Sequence, residues 1–231
     1  MALTSTQDLE LPDVILAGKL GRLKEDADYR AAKAGEVEAA VRLARRSVTD
    51  SLIDKLKHIQ NPLVVGVISI ESSGENAIPQ AAAAVIADRL GGELVDDIVQ
   101  SSVPMRTDMD GLDRIFARPL FDGFVASGRN YVVVDDTLTQ GATLAALSRH
   151  ITCLGGNVAA LVALSGKSYG AKLAPDLATI AVLRERFGDL ENDFISATGV
   201  GFDQLTHSEI RYLVNFSPSE RVRDCITAAA R

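Results

Sequence analysis

The chain has 231 residues, 47% hydrophobic and 24% charged, and a formal net charge of −7 from 31 acidic against 24 basic side chains. That composition suits a globular protein with a sizeable core and excludes a fibrous or disordered one. The acidic balance argues against a general nucleic-acid binder, which needs a basic face to displace condensed counterions.

The N-terminal stretch MALTSTQDLELPD carries acids and lacks the basic start and apolar centre of a signal peptide. From Asp26 to Lys57 the pattern reads as helix, with Val37, Val41, Ala44, Val48 and Leu52 forming one apolar stripe. The basic run Arg42, Arg45 and Arg46 falls in the same pattern and reads as its solvated face. Leu63 to Ile70 (LVVGVISI) follows Asn61-Pro62 and is β-branched and apolar, as a buried parallel strand would be.

Ile78 to Leu90 is alanine-rich and helical, ending at Gly91-Gly92. Glu93 to Val95 is a short strand candidate, and a polar stretch with several prolines and glycines runs on to Arg129. A second strong strand is expected at Tyr131 to Val134, a helix from Ala142 to Leu154, a third strand at Val158 to Leu164 and a fourth at Ala178 to Leu183. Thr206-His207-Ser208-Glu209 has capping-box spacing and should open a helix over Ile210 to Phe216. His207 is therefore a helix-start residue rather than a catalytic base; His58 and His150 lie in helical patterns and read the same way. Cys153 and Cys225 give neither a disulfide framework nor zinc-ligand spacing. No apolar run approaches the ~18 residues of a membrane span. A cytoplasmic protein with no membrane and no nucleic-acid partner is expected.

Strands alternating with helices imply an α/β fold, an open parallel sheet flanked by helices. Ligands of such sheets bind beyond the carboxyl ends of the strands. That rule points to three loops: Glu71 to Asn76, Asp135 to Thr143 and Ser165 to Gly170.

The stretch Tyr131 to Leu144, YVVVDDTLTQGATL, is the most informative. Asp135 and Asp136 stand side by side where the strand should leave the sheet. Such a pair becomes useful around a vicinal diol or a cation, because carboxylates accept hydrogen bonds from hydroxyls and can hold Mg²⁺ through its waters. Thr137, Leu138, Thr139, Gln140, Gly141, Ala142 and Thr143 then form a turn suited to an anion. Gly141 permits a tight bend, the first N–H groups of the following helix lack internal partners, and threonine hydroxyls add donors. A P-loop is excluded because no Gly-x4-Gly-Lys-Ser/Thr string occurs. Gly199-Val200-Gly201 lacks the third glycine of a dinucleotide fingerprint. A haloacid-dehalogenase-type phosphatase would need an aspartate where Val134 stands.

Val132 to Leu144 resembles the phosphoribosyl pyrophosphate (PRPP) motif of type I phosphoribosyltransferases, with Gln140 where Thr or Ser is commoner. The supporting topology covers Leu63 to Leu183, about half the chain. The resemblance implies a helical hood from the N-terminal region and C-terminal tail. The expected organisation is an N-terminal helical region over 1–60, a phosphoribosyltransferase-like core over 61–185, and a C-terminal region over 186–231 that forms hood or packs on the sheet. It implies that Asp135 and Asp136 contact the ribose hydroxyls, directly or near Mg²⁺, and that Thr137 to Thr143 hold the 5-phosphate.

The family's pyrophosphate loop corresponds to Glu71-Ser72-Ser73-Gly74-Glu75-Asn76, with Ser72, Ser73 and Gly74 suited to close approach by an anion. Many relatives carry Arg or Lys in this loop, whereas Glu71 and Glu75 flank it here. Arg106, Arg114 and Arg118 fall where the family has a mobile loop that brings basic residues to the pyrophosphate, Arg106 being the one assigned a catalytic role. Lys167 stands where some purine-using relatives contact the base, and Tyr169 is placed to stack on a ring. The expected function is Mg²⁺-dependent transfer of phosphoribosyl from PRPP to a nitrogenous base with release of pyrophosphate, in a family where homodimers are common. The alternatives are a PRPP or nucleotide sensor on the same scaffold and phosphorolysis or hydrolysis of a ribose phosphate.

Overall fold

The computed structural model describes residues 11–68, 70–71, 74–101 and 111–230. A strand β1 (Val14–Leu16) opens the described chain, followed by three short helices, α1 (Tyr29–Lys33), α2 (Val37–Ser47) and α3 (Asp50–Leu56). Next come β2 (Leu63–Gly66), a two-residue hairpin of β3 (Ile70–Glu71) and β4 (Gly74–Glu75), α4 (Ile78–Leu90) and β5 (Glu93–Val95). A second small hairpin, β6 (Val99–Gln100) with β7 (Phe121–Asp122), brackets α5 (Gly111–Phe116). The main βαβ unit is β8 (Asn130–Leu138), α6 (Ala142–Cys153) and β9 (Asn157–Gly166). Four helices complete the chain: α7 (Leu177–Phe187), α8 (Glu191–Thr198), α9 (His207–Asn215) and α10 (Ser219–Ala229).

The sheet has five strands in the order β1-β9-β8-β2-β5, all parallel. The two-residue period of its strands sorts their side chains into two cores. Val64, Val132, Val134, Ala160 and Val162 join α2 and α4 on one face, while Leu63, Val65, Tyr131, Val133 and Leu161 join α6 on the other. This is the α/β architecture expected from the sequence, an open parallel sheet covered by helices on both sides. Helix α4 lies so close to β2 that a Cβ on Gly66 would come within 2.6 Å of the Pro79 backbone, so only glycine fits there. A third core, of Leu112, Ile115, Leu183, Phe187, Phe194, Phe202 and their neighbours, belongs to α5 and α7–α10.

Several expectations are corrected. Ala178 to Leu183 is not a fourth strand but lies within α7, whose buried Ile180, Leu183 and Phe187 recur at helical spacing. Asp176 caps this helix by accepting from the Thr179 amide at 2.8 Å. The single helix expected over 26–57 is interrupted at Gly35, where φ is 96°, and again before Thr49, the cap of α3. The strand expected over 63–70 ends at Gly66, and Ile70 pairs instead in the small hairpin. Val14–Leu16, within the N-terminal region expected to be helical, is a strand that pairs with β9 at the sheet edge. The capping box at Thr206 and Glu209 is present as expected and opens α9. Among the described residues, no helix is long and apolar enough to cross a membrane.

Candidate functional site

Strand β8 continues past Val134 to Leu138, with Asp135 opposite Ala163, Thr137 opposite Ser165 and Leu138 opposite Gly166 of β9. The two aspartates thus sit in a strand rather than in a loop, and consecutive strand residues leave opposite faces. The alternation that sends Val133 toward α6 and Val134 toward α2 and α4 places Asp135 on the α6 side and Asp136 on the other. Asp135 is half-buried and accepts a 2.8 Å hydrogen bond from the Asp136 amide. Asp136 is buried, and its Oδ2 accepts from Lys33 Nζ of α1 at 2.8 Å and from Asn76 Nδ2 at 3.0 Å. Asn76 in turn accepts from the Ile78 amide at 3.2 Å, tying the site to the start of α4.

After Leu138 the chain turns through exposed Thr139 and half-buried Gln140 into α6. Gly141 adopts φ 79°, the left-handed conformation that favours glycine. As the residue that precedes the helix it has no side chain to cap it, so first-turn N–H groups can turn to an outside acceptor. Twelve residues of helix give this end a partial positive charge of about half a unit. Ala142 is buried, and Thr143 is half-buried on the first turn. Beneath the turn, Leu138 and Leu173 are both buried. A donor set of backbone amides and threonine hydroxyls on a helix end is the chemistry of a phosphate cradle.

The C-terminal helices fix this turn. Thr206 Oγ1 donates to the Gln140 carbonyl at 2.6 Å, and Gln140 Nε2 donates to the Gly111 carbonyl at 3.3 Å. Thr206 Oγ1 also accepts from the Glu209 amide at 3.1 Å, while Glu209 Oε2 accepts from the Thr206 amide at 2.8 Å. The other Glu209 oxygen is paired with Arg118, and both side chains are almost fully buried. Arg118, a candidate for the pyrophosphate, is therefore committed to Glu209. Close by, burial pushes the Arg149 guanidinium below its ordinary value and the neighbouring Arg118 charge adds to the effect; Arg149 Nη2 donates to the Gln204 carbonyl at 2.8 Å.

The β1 and β9 ends complete the rim. Ser165 Oγ donates to the Lys19 carbonyl at 3.2 Å, and Lys19 bridges to Gly166. Lys167 is exposed there, its ammonium 5.5 Å from the Tyr169 ring centre. Gly74 pairs with Glu71 in the small hairpin, next to Asn76. Arg114 lies on α5 and is half-buried. Ser72, Ser73 and Arg106 lie outside the described residues.

The resemblance implies a magnesium ion at Asp135 and Asp136, and this donor set does not suit one. The carboxylates diverge across the sheet, and a dication at Asp136 would face the ammonium of Lys33 held on the same carboxylate. Among the described residues, no group of three or more His, Cys, Asp or Glu side chains is gathered as for a metal. Lys33 was not nominated from the sequence. It is 103 residues from Asp136, and nothing local marks the lysine that ends a five-residue helix.

No protein-family model matches the chain. It is 37% identical over 224 residues to Protein TraN of Escherichia coli, across 95% of this chain and 50% of that protein. It is 38% identical over 145 residues to an uncharacterized protein of Haemophilus influenzae, across 62% of this chain and 32% of that one. The chain thus spans half or less of the length of these curated relatives. Among solved structures, adenine phosphoribosyltransferase from Saccharomyces cerevisiae is similar with a TM-score of 0.40 and 15% identity, over 63% of this chain and 77% of that chain.

Proposed function

We propose that this chain binds the phosphoribosyl group of PRPP at the β8–α6 turn and transfers it to a nitrogenous base, releasing pyrophosphate. The observation that carries the reading is the turn and what leads into it: a strand with Asp135, Asp136 and Thr137 near its carboxyl end, then Thr139 and a left-handed Gly141 that opens α6 without a side-chain cap. In this reading the amides of the first α6 turn and the hydroxyls of Thr137, Thr139 and Thr143 hold the 5-phosphate. Each such bond to a charged group contributes about 1.5–3 kcal/mol. Asp135 accepts from a ribose hydroxyl and, by its negative charge, favours the positive charge that develops on the sugar as the C1–O bond to pyrophosphate breaks. A ring nitrogen of the base forms the new bond to C1 from the opposite side. Lys167 and Tyr169, at the β9 end, are the side chains assigned to that base.

A second reading, binding without transfer, is favoured by Glu71 and Glu75, which flank the loop assigned to pyrophosphate. Melting scans with PRPP come first, since a ligand at about 100 times its Kd stabilises by about 2.7 kcal/mol. Asp135→Asn should lose most of that stabilisation while melting normally without ligand. Unchanged PRPP stabilisation in the variant counts against the site. Pyrophosphate release across a panel of bases then separates the readings: release with any base supports transfer, and binding with none supports a sensor.

A further inference from the structure

Asp136 is set deep at the site, its side chain only 7% exposed, and Lys33 reaches it with a side chain 22% exposed. A carboxylate so far removed from water needs a compensating charge and hydrogen bonds. Lys33 supplies the charge and Asn76 a second donor, both to Oδ2. The cation comes from a helix fixed beside the β3–β4 hairpin: the Ala77 amide donates to the Ala32 carbonyl at 3.2 Å, and a Cβ on Gly35 would come within 3.0 Å of the Glu75 carbonyl. Lys33 therefore stands between the carboxyl end of β8 and the one loop whose acids make it unlike an anion site.

We infer that Lys33 is the resident cation of this site, a positioning residue that holds Asp136 in place of a divalent metal and makes capture of a sugar phosphate independent of magnesium. The inference rests on the proposed phosphoribosyl site for its second half only. Its first half, competition between an ammonium and a metal for one carboxylate, is a property of the apo protein. An ammonium held on Asp136 repels a dication strongly at the low effective dielectric of a buried site. Removing the ammonium frees the carboxylate for the metal.

Mn²⁺ binding followed by electron paramagnetic resonance tests the first half. The wild-type protein should bind Mn²⁺ weakly and no differently from Asp136→Asn. Lys33→Met should bind it about tenfold more tightly or better, as expected from removing one positive charge next to a dication. Lys33→Met/Asp136→Asn should lose that gain, and Lys33→Arg should behave as wild type, which a merely structural lysine would not require. Circular dichroism confirms that each variant is folded. An Asp136-dependent Mn²⁺ site in the wild type, or no gain in Lys33→Met, overturns the inference.

Calorimetry with ribose 5-phosphate tests the second half, because this ligand lacks the pyrophosphate that itself chelates magnesium. Wild-type affinity should agree within about twofold between magnesium and EDTA buffers, a difference of about 0.4 kcal/mol. A strict magnesium requirement in the wild type overturns the second half. If ribose 5-phosphate and PRPP both fail to bind, the proposed function falls, while the Mn²⁺ series still decides the role of Lys33.

Discussion

At Gly141 the backbone takes φ 79°, and a Cβ built there would come within 2.3 Å of a Leu173 methyl carbon. Gly141→Ala should therefore cost at least about 1–2 kcal/mol from the left-handed conformation alone. The Leu173 contact adds to this. Urea unfolding should show the loss as a lower midpoint with an unchanged slope, and PRPP stabilisation should fall with it because the helix end moves. A residue-scale effect away from the site concerns Asp28. The guanidinium of Arg42, and then that of Arg46, holds its carboxyl down to about 2. A depressed carboxylate contributes stability that is complete above the ordinary value of about 3.9 and is lost as the pH falls through the folded one. Carboxyl NMR titration should find the Asp28 midpoint near 2 in the wild type. In Arg42→Ala/Arg46→Ala it should move back toward the ordinary carboxylate range.

At the scale of elements, α9 does two jobs at its first turn. Its capping box closes the helix start, and the same Thr206 hydroxyl steadies the Gln140 carbonyl ahead of α6. Thr206→Val should cost about 0.5–2 kcal/mol for the cap and should also weaken PRPP stabilisation, which a cap with no second role would leave alone. Paired denaturation and ligand-melting curves distinguish the two. The cap was legible because Thr-x-x-Glu is a local pattern. Helix α7 was misread because Ala178 to Leu183 is short, apolar and partly β-branched. Its helical period shows only when Phe187 and the Asp176 cap are included. Strand β1 is three residues long, and its pairing partner Leu161 lies more than a hundred residues away, so no local pattern announces it. The length of β8 was underestimated for a related reason. Polar Asp135 to Thr137 look like loop, yet β9 runs alongside and supplies their pairing.

Across the whole molecule, the sheet and its two covering layers follow from strand composition and the helices between them. Val64, Val132 and Val162 point one way and Val65, Val133 and Leu161 the other, which no sequence with a single amphipathic face would do. The turn Thr139 to Gly141 was also recognisable, since a glycine between a strand and a helix marks a tight bend. What sits around the turn was not recognisable. Thr206 reaches Gln140, Lys33 and Asn76 reach Asp136, and Arg118 holds Glu209 behind Thr206, from four separate parts of the chain. Their roles depend on tertiary placement: Arg118, expected to serve the pyrophosphate, is a buried counter-ion of Glu209, while Lys33, which no motif marks, is paired with the buried Asp136. The anchoring of Gln140 between Gly111 and Thr206 has one more result. It makes the turn a joint property of the βαβ unit and the C-terminal helical lobe. Changes that loosen that lobe, even at its far side, should therefore blur the shape of the turn, and an anion held at the proposed site should in return tighten helices it never touches.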